Sequence, residues 1–252
     1  TVTSSPAAVS CGASSLACVR GFAPNTVVTL TPSPSPGSAF VGWSGACTGS
    51  GACQVTMDAA KSVTADFDAS FDLTVTRSGN GSGTVTSAPA GIDCGTNCSE
   101  TLLEGAVVTL TANPGQNSRF TGFSGACSGI GSCQVTMSQA KSVDAGFEAK
   151  SPATFSKIVL TPKKKSVKSG KTVKLTVQVT NSGELSGTAT VKLSSSIKKK
   201  ATVPKTVSIQ VPAGASAKKT FTVKTKKRQK GKVTITAKVA AKSAKSVITL
   251  KK

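Results

Sequence analysis

The chain has 252 residues, a formal net charge of +21, eight cysteines, and no histidine or tyrosine. Lacking histidine, it has neither the usual general base nor the commonest metal ligand. No run of about twenty apolar residues occurs, which excludes a membrane-spanning helix.

In chain order, the first feature is a unit that occurs twice. Residues 40–67, FVGWSGACTGSGACQVTMDAAKSVTADF, return as FTGFSGACSGIGSCQVTMSQAKSVDAGF at 120–147. Upstream, TVTSSPAAVSC at Thr1 returns as TVTSAPAGIDC at Thr84, and VVTLT at Val27 returns at Val107. A repeat of about eighty residues implies a modular array in which function lies in the assembly more than in a pocket. The expected division is 1–68 for copy one, 69–150 for copy two and 151–252 for a different C-terminal unit.

Each copy carries four cysteines: Cys11, Cys18, Cys47 and Cys53, then Cys94, Cys98, Cys127 and Cys133. An even set, in register, in small β-rich units reads as a disulfide framework and an oxidising, extracellular or cell-surface location. A four-cysteine zinc site is the competing reading. It fits less well because the first pair changes spacing between copies. Local bridges would contribute about 2 kcal/mol each, and crosslinks across about forty residues about 4 kcal/mol. Stability alone favours the long crosslinks. The Gly/Ser-rich turn sequence around both pairs favours the local ones.

Copy two reads as strands near 72–77, 83–87, 106–112, 118–123, 132–137 and 142–148, with a single helical turn possible at Met137. Copy one should match from its second strand onward. The sequence has no signal-peptide pattern and holds no counterpart, ahead of Thr1, of the LTVTRSGNGSG stretch from Leu73 to Gly83. Copy one is therefore expected to lack its first strand, leaving a sheet edge open. Two explanations stand: a processed or truncated chain, or a strand supplied by a neighbouring subunit, for which the C-terminal VITLKK from Val247 is a candidate donor.

Residues 149–154, AKSPAT, read as a linker. Beyond them, runs near 155–161, 171–180, 186–194, 205–211, 217–225, 231–239 and 244–250 give about seven strands, the count of a β-sandwich. Val173, Leu175, Val177 and Val179 alternate with Lys174 and Gln178.

Charge divides at the same boundary. Residues 1–150 hold 6 Lys and Arg against 9 Asp and Glu, and residues 151–252 hold 25 against 1. The basic runs are Lys163, Lys164, Lys165; Lys198, Lys199, Lys200; and Lys226, Lys227, Arg228, Lys230. Such a field attracts polyanions. Nucleic acid is disfavoured, since only Phe155 and Phe221 are available for stacking and no helical period appears. Lysines on exposed strand faces also suppress aggregation. A solvated surface and an anionic cell-surface polymer or lipid as partner both remain open.

The pattern GSGTVTSAPAGIDCGTNC, then VVTLTANP, FTGFSGACSGIGSCQVTM and KSVDAGF resembles the divergent InlB B-type repeat of bacterial surface and secreted proteins, over about 1–148. That resemblance implies a β-rich, grasp-like module used as a stalk or adhesive element, with no catalytic residues to carry over. KSVKSGKTVKLTVQVTNSGELSGTATVKL is similar, more weakly, to bacterial Ig-like domains of the CARDB type. The fold expected is all-β: two tandem disulfide-stapled repeats, then an Ig-like sandwich.

Candidate chemistry is sparse. GWSG at Gly42 and GFSG at Gly122 are half of a nucleophile elbow, but Ala46 and Ala126 stand where the motif needs glycine. Ser44 and Ser124 are therefore read as turn residues. Trp43 and Phe123 read as packing residues in preference to sugar platforms. Asp66, Asp68 and Asp72 match no calcium loop and read as solvated. Glu184, the single acid of the C-terminal unit, lies near Asn181 and many lysines, where a Lys–Asn isopeptide bond would need a buried carboxylate. The reading is thus a non-enzymatic extracellular protein with no catalytic residues, metal or cofactor. It forms a fibre or stalk by self-association through strand donation, or alternatively acts as an adhesin for anionic polymers.

Overall fold

The computed structural model describes residues 1–12 and 18–252, and among these every regular element is a strand. The alternating apolar and polar residues fold as alternation dictates, one side chain inward and the next outward. The chain forms two compact units, Thr1–Glu148 and Ala149–Lys252.

In the first unit, copy one supplies β1 (Val2–Ser5), β2 (Ser10–Cys11), β3 (Val27–Pro32), β4 (Ser38–Gly45) and β5 (Cys53–Thr56). Then β6 runs from Val63 to Ser78. Copy two continues with β7 (Gly83–Ala88), β8 (Ser99–Leu103), β9 (Val107–Pro114), β10 (Ser118–Gly125), β11 (Cys133–Thr136) and β12 (Lys141–Ala149). The small sheets are equivalent: β1 and β5 flank β3 in copy one, and β7 and β11 flank β9 in copy two, all antiparallel.

The separate strands expected on either side of the repeat junction are one strand. The first part of β6 pairs antiparallel with β4, from Val63 opposite Gly45 to Ala69 opposite Ser38. Its second part pairs antiparallel with β8 over Ser70–Thr74 and parallel with β12 over Leu73–Ser78. The helical turn expected at Met137 is instead a bend, with Met137 fully buried in the copy-two core.

The second unit contains β13 (Phe155–Thr161), β14 (Lys164–Lys168), β15 (Thr172–Asn181), β16 (Gly187–Ser195), β17 (Ala201–Thr202), β18 (Thr206–Val211), β19 (Ser216–Thr225), β20 (Gly231–Val239) and β21 (Lys242–Lys251). They form two sheets, β13-β15-β19-β17 and β14-β21-β20-β16-β18. The inward residues of both make one core that includes Val173, Leu175, Val177, Val179, Val191, Ile235 and Ile248. This is an Ig-like sandwich. The VITLKK segment is not a free tail. Val247–Lys251 lies inside β21, paired with β14 on one side and β20 on the other, with Ile248 and Leu250 buried, so it is not available as a donor strand.

Candidate functional sites: an open sheet edge and a cationic end

Hydrogen bonds fix which side of β6 is occupied. The Ser70 N–H donates to the Gly37 carbonyl and the Ala46 N–H to the Ser62 carbonyl, so even-numbered residues of β6 face the β4 side. Glu104 N–H donates to the Ala69 carbonyl and Val75 N–H to the Cys98 carbonyl, so odd-numbered residues face the other side, where β8 takes over from Ala69 onward. The peptide groups of Val63, Ala65 and Phe67 point toward that second side, and among the described residues no strand lies against them. In copy two the matching groups of β12 face β6, which supplies Leu73 and Val75 to the core.

The core of copy one is correspondingly thin. Among the described residues copy one buries Val28, Trp43, Cys53 and Val55, whereas the copy-two cluster holds fourteen buried residues, Leu73 and Val75 of β6 included. The matched pairs show the cause. Val143, Ala145 and Phe147 are at most 1% exposed, while Val63, Ala65 and Phe67 at the open edge are only half-buried. Val85, Leu110 and Met137 are fully buried, and their counterparts Val2, Leu30 and Met57 are half-buried.

The second site is one end of the sandwich. Lys226 N–H donates to the Lys200 carbonyl at 3.0 Å, and the Lys200 Nζ donates to the Lys230 carbonyl at 2.9 Å. The Gly170 N–H donates to the Lys226 carbonyl, and the Ser169 N–H to the Lys251 carbonyl. The runs Lys198, Lys199, Lys200 and Lys226, Lys227, Arg228, Lys230 are thereby brought together, joined by Lys168, Lys171 and Lys251, which the sequence reading did not single out. Lys163, Lys164 and Lys165 stand apart: Lys164 is paired with Val247, four residues back along β14 from Lys168 opposite Lys251. At about 3.3 Å per residue that is roughly 13 Å from the cluster. Glu184 lies at the other end of the sandwich, where its Oε2 accepts from the Ser151 N–H and hydroxyl. Like charges without a neighbouring carboxylate repel one another, and salt relieves this. The thermal stability of the second unit should therefore rise between low and moderate salt. A salt-independent melting temperature would contradict that.

The remaining candidates resolve into structure. The cysteines pair locally as Cys11–Cys18, Cys47–Cys53, Cys94–Cys98 and Cys127–Cys133. Residues 13–17 of the first loop lie outside the described residues. Trp43 is buried and donates its Nε1–H to the Gly51 carbonyl at 3.0 Å, stacking in a tilted pair with Phe40. Phe123 and Phe120 repeat that contact in copy two. Ser44 and Ser124 are exposed strand residues in β4 and β10, not turn residues as expected. Asp66, Asp68 and Asp72 line the exposed face of β6, and Asp72 accepts from the Thr101 hydroxyl. Among the described residues no three Cys, Asp or Glu side chains gather as a metal site.

Asn181 is not held for an isopeptide bond. It is fully buried, its oxygen accepts from the Thr154 and Gly183 N–H groups, and its amide donates to the Leu185, Val211 and Pro212 carbonyls. Glu184 is exposed, whereas an assisting carboxylate would have to be buried.

Among solved structures, domains 4 and 5 of the S-layer protein SbsC match at 16% identity over 58% of this chain and 65% of that one, with a TM-score of 0.30. The CARDB domain of a Pyrococcus furiosus protein matches at 17% identity over 37% of this chain and 91% of its own, with a TM-score of 0.30. The D0-D1 domain of intimin matches at 11% identity over 88% and 86%, with a TM-score of 0.24. No curated protein matches. The divergent InlB B-repeat domain matches residues 5–71 and again residues 73–151. Those two matches span more than half of the 252 residues, in the unit where β6 joins the two copies, and the chain belongs to the divergent InlB B-repeat family.

Proposed function

We propose that this is a non-enzymatic extracellular surface protein that builds a stalk or fibre by self-association, a neighbouring subunit pairing along the open edge of copy one. Family membership and four disulfides support the extracellular surface placement. The observation that carries the assembly is the open edge itself, which presents unpaired strand groups beside a half-filled core. Because β6 closes one repeat and opens the next, the array transmits load along a continuous backbone. Negative-stain electron microscopy of the purified chain in moderate salt without reductant should show regular fibres. Separate particles at every concentration would remove the fibre.

A second reading is favoured by the cationic end: an adhesin that grips anionic surface polymers. With seven or more cations converging, affinity for a polyglycerol phosphate should fall steeply between about 0.05 and 0.5 M salt. Replacing Lys198, Lys199, Lys227 and Arg228 by Glu should cost at least about tenfold in Kd. Binding that ignores salt, or survives that charge reversal, would sink the adhesin.

A further inference from the structure

We infer that the outer face of the five-stranded sheet of the sandwich is a track for a linear phosphodiester polymer, continuous with the cationic end. The inference rests on the adhesin reading and extends its site from the end of the sandwich onto the face.

Alternation places one set of side chains of β20 and β21 in the core and aims the other set outward. Ile235, Ala237, Ile248 and Leu250 are buried, so Thr234, Thr236, Lys238, Lys245, Val247 and Thr249 face out. The register lays these out in rows. Lys192 is directly opposite Lys238, and two residues on, Thr236 stands between Ser194 and Lys245. Val247 then lies between Thr234 and Lys164, and Thr249 between Lys232 and Ser166. The last row pairs Lys251 with Lys168, both already part of the cationic end. Lysines and hydroxyls are thus interleaved across three strand spacings from β16 to β14, about 14 Å, and along β21 from Ser243 to Lys251, roughly 26 Å.

The placement of charge marks this face for an anion. Like charges directly opposite one another are destabilising, and the face sets lysine against lysine twice, Lys192 with Lys238 and Lys168 with Lys251. The single acid of the unit, Glu184, lies at the other end of the sandwich and relieves neither pair. On the outer face of the other sheet, Lys157, Lys174 and Lys218 instead stand opposite Thr180, Thr222 and Gln178. A phosphate between each lysine pair removes the repulsion, and the interleaved hydroxyls can donate to further phosphate oxygens. Shape selects a chain over a plane. Neighbouring strands rotate by about 20–25°, so the face turns by roughly 60–75° between β16 and β14, and a planar anionic bilayer cannot meet every row at once. A flexible polymer follows the turn. Strands β14, β16, β20 and β21 contain no aromatic residue, so the face offers nothing on which a base could stack.

The test titrates the 252-residue chain with polyglycerol phosphate in three forms. These are the unaltered chain, a face variant with Lys192→Thr, Lys238→Thr and Lys245→Thr, and a control with Lys157→Thr, Lys174→Thr and Lys218→Thr, which removes the same charge from the other sheet. The face variant should bind at least about tenfold more weakly in low salt, and its slope of log K against log salt should flatten by about 2, at roughly 0.7 per phosphate contact. Its melting temperature should not fall, because a like-charge pair has gone. The control should lose less than about threefold. Equal losses in the two variants would mean that net charge alone is read, and would overturn the track. A face variant that binds like the unaltered chain also overturns it, and if reversal of Lys198, Lys199, Lys227 and Arg228 still weakens binding, the adhesin stands without the track. No binding by any form in low salt removes both. Tighter binding to phosphatidylglycerol vesicles than to the polymer would overturn the choice of a chain as the ligand.

Discussion

Phe147→Ala should destabilise the first unit by about 4 kcal/mol, and Phe67→Ala by about 1 kcal/mol, although the two residues are equivalent in sequence. Phe147 is 1% exposed, packs its ring on Phe120 at 5.6 Å, and lies under the glycine strand whose Gly83 sits against its edge. Truncation there removes a large apolar surface and leaves a cavity between residues fixed on every side. Phe67 makes the matching contact with Phe40 at 5.5 Å, but is only half-buried, and among the described residues no strand pairs with the open edge beside it. Much of its transfer free energy is already forfeited, and solvent or neighbours can fill the space. Chemical denaturation of both single variants measures the difference. Equal losses would mean that the two cores are equally complete.

Asn181→Ala should cost the second unit about 3 kcal/mol, because it orphans buried partners instead of merely deleting contacts. Five backbone groups converge on that side chain from the 152–154 segment, the 183–185 turn and the end of β18. Asn181→Asp keeps the acceptor for Thr154 and Gly183 but turns a carboxylate oxygen toward the three carbonyls. That variant should be worse than Ala near neutral pH and recover as its carboxyl protonates. The buried carboxyl's pKa is raised above its unfolded value, so the penalty grows as pH rises through the unfolded range. Urea titrations of both variants at pH 4 and 7 test this. A loss under about 0.5 kcal/mol for Ala would show that water replaces the amide.

Local features were legible in the sequence. The duplicated motifs gave the repeats, alternation gave most strands, and the turn-rich stretches between Cys94 and Cys98 and between Cys127 and Cys133 marked reversals that the structure closes with disulfides. Elements whose residues do not alternate were missed. Strand β8, SETLL, gains its conformation by pairing with β6, and β14, KKSVK, reads as a charge run because it is an exposed edge strand. Charged edges discourage further pairing, so they carry the least apolar signal. Alternation marks 244–250 as a strand, but nothing local reveals that β14 and β20 flank it on both sides and so remove VITLKK as a donor. The cationic end was half-visible: two runs were evident, but Lys168 and Lys171 join them only through a turn held by Lys226.

The open edge underlies the proposed assembly, and amide hydrogen exchange reads it directly. In the isolated chain at low concentration, the amides of Val63, Ala65 and Phe67 should exchange fast, while those of Val143, Ala145 and Phe147 are protected by orders of magnitude. Equal protection at the two sets of positions would mean that a strand already covers the edge, and would contradict the account.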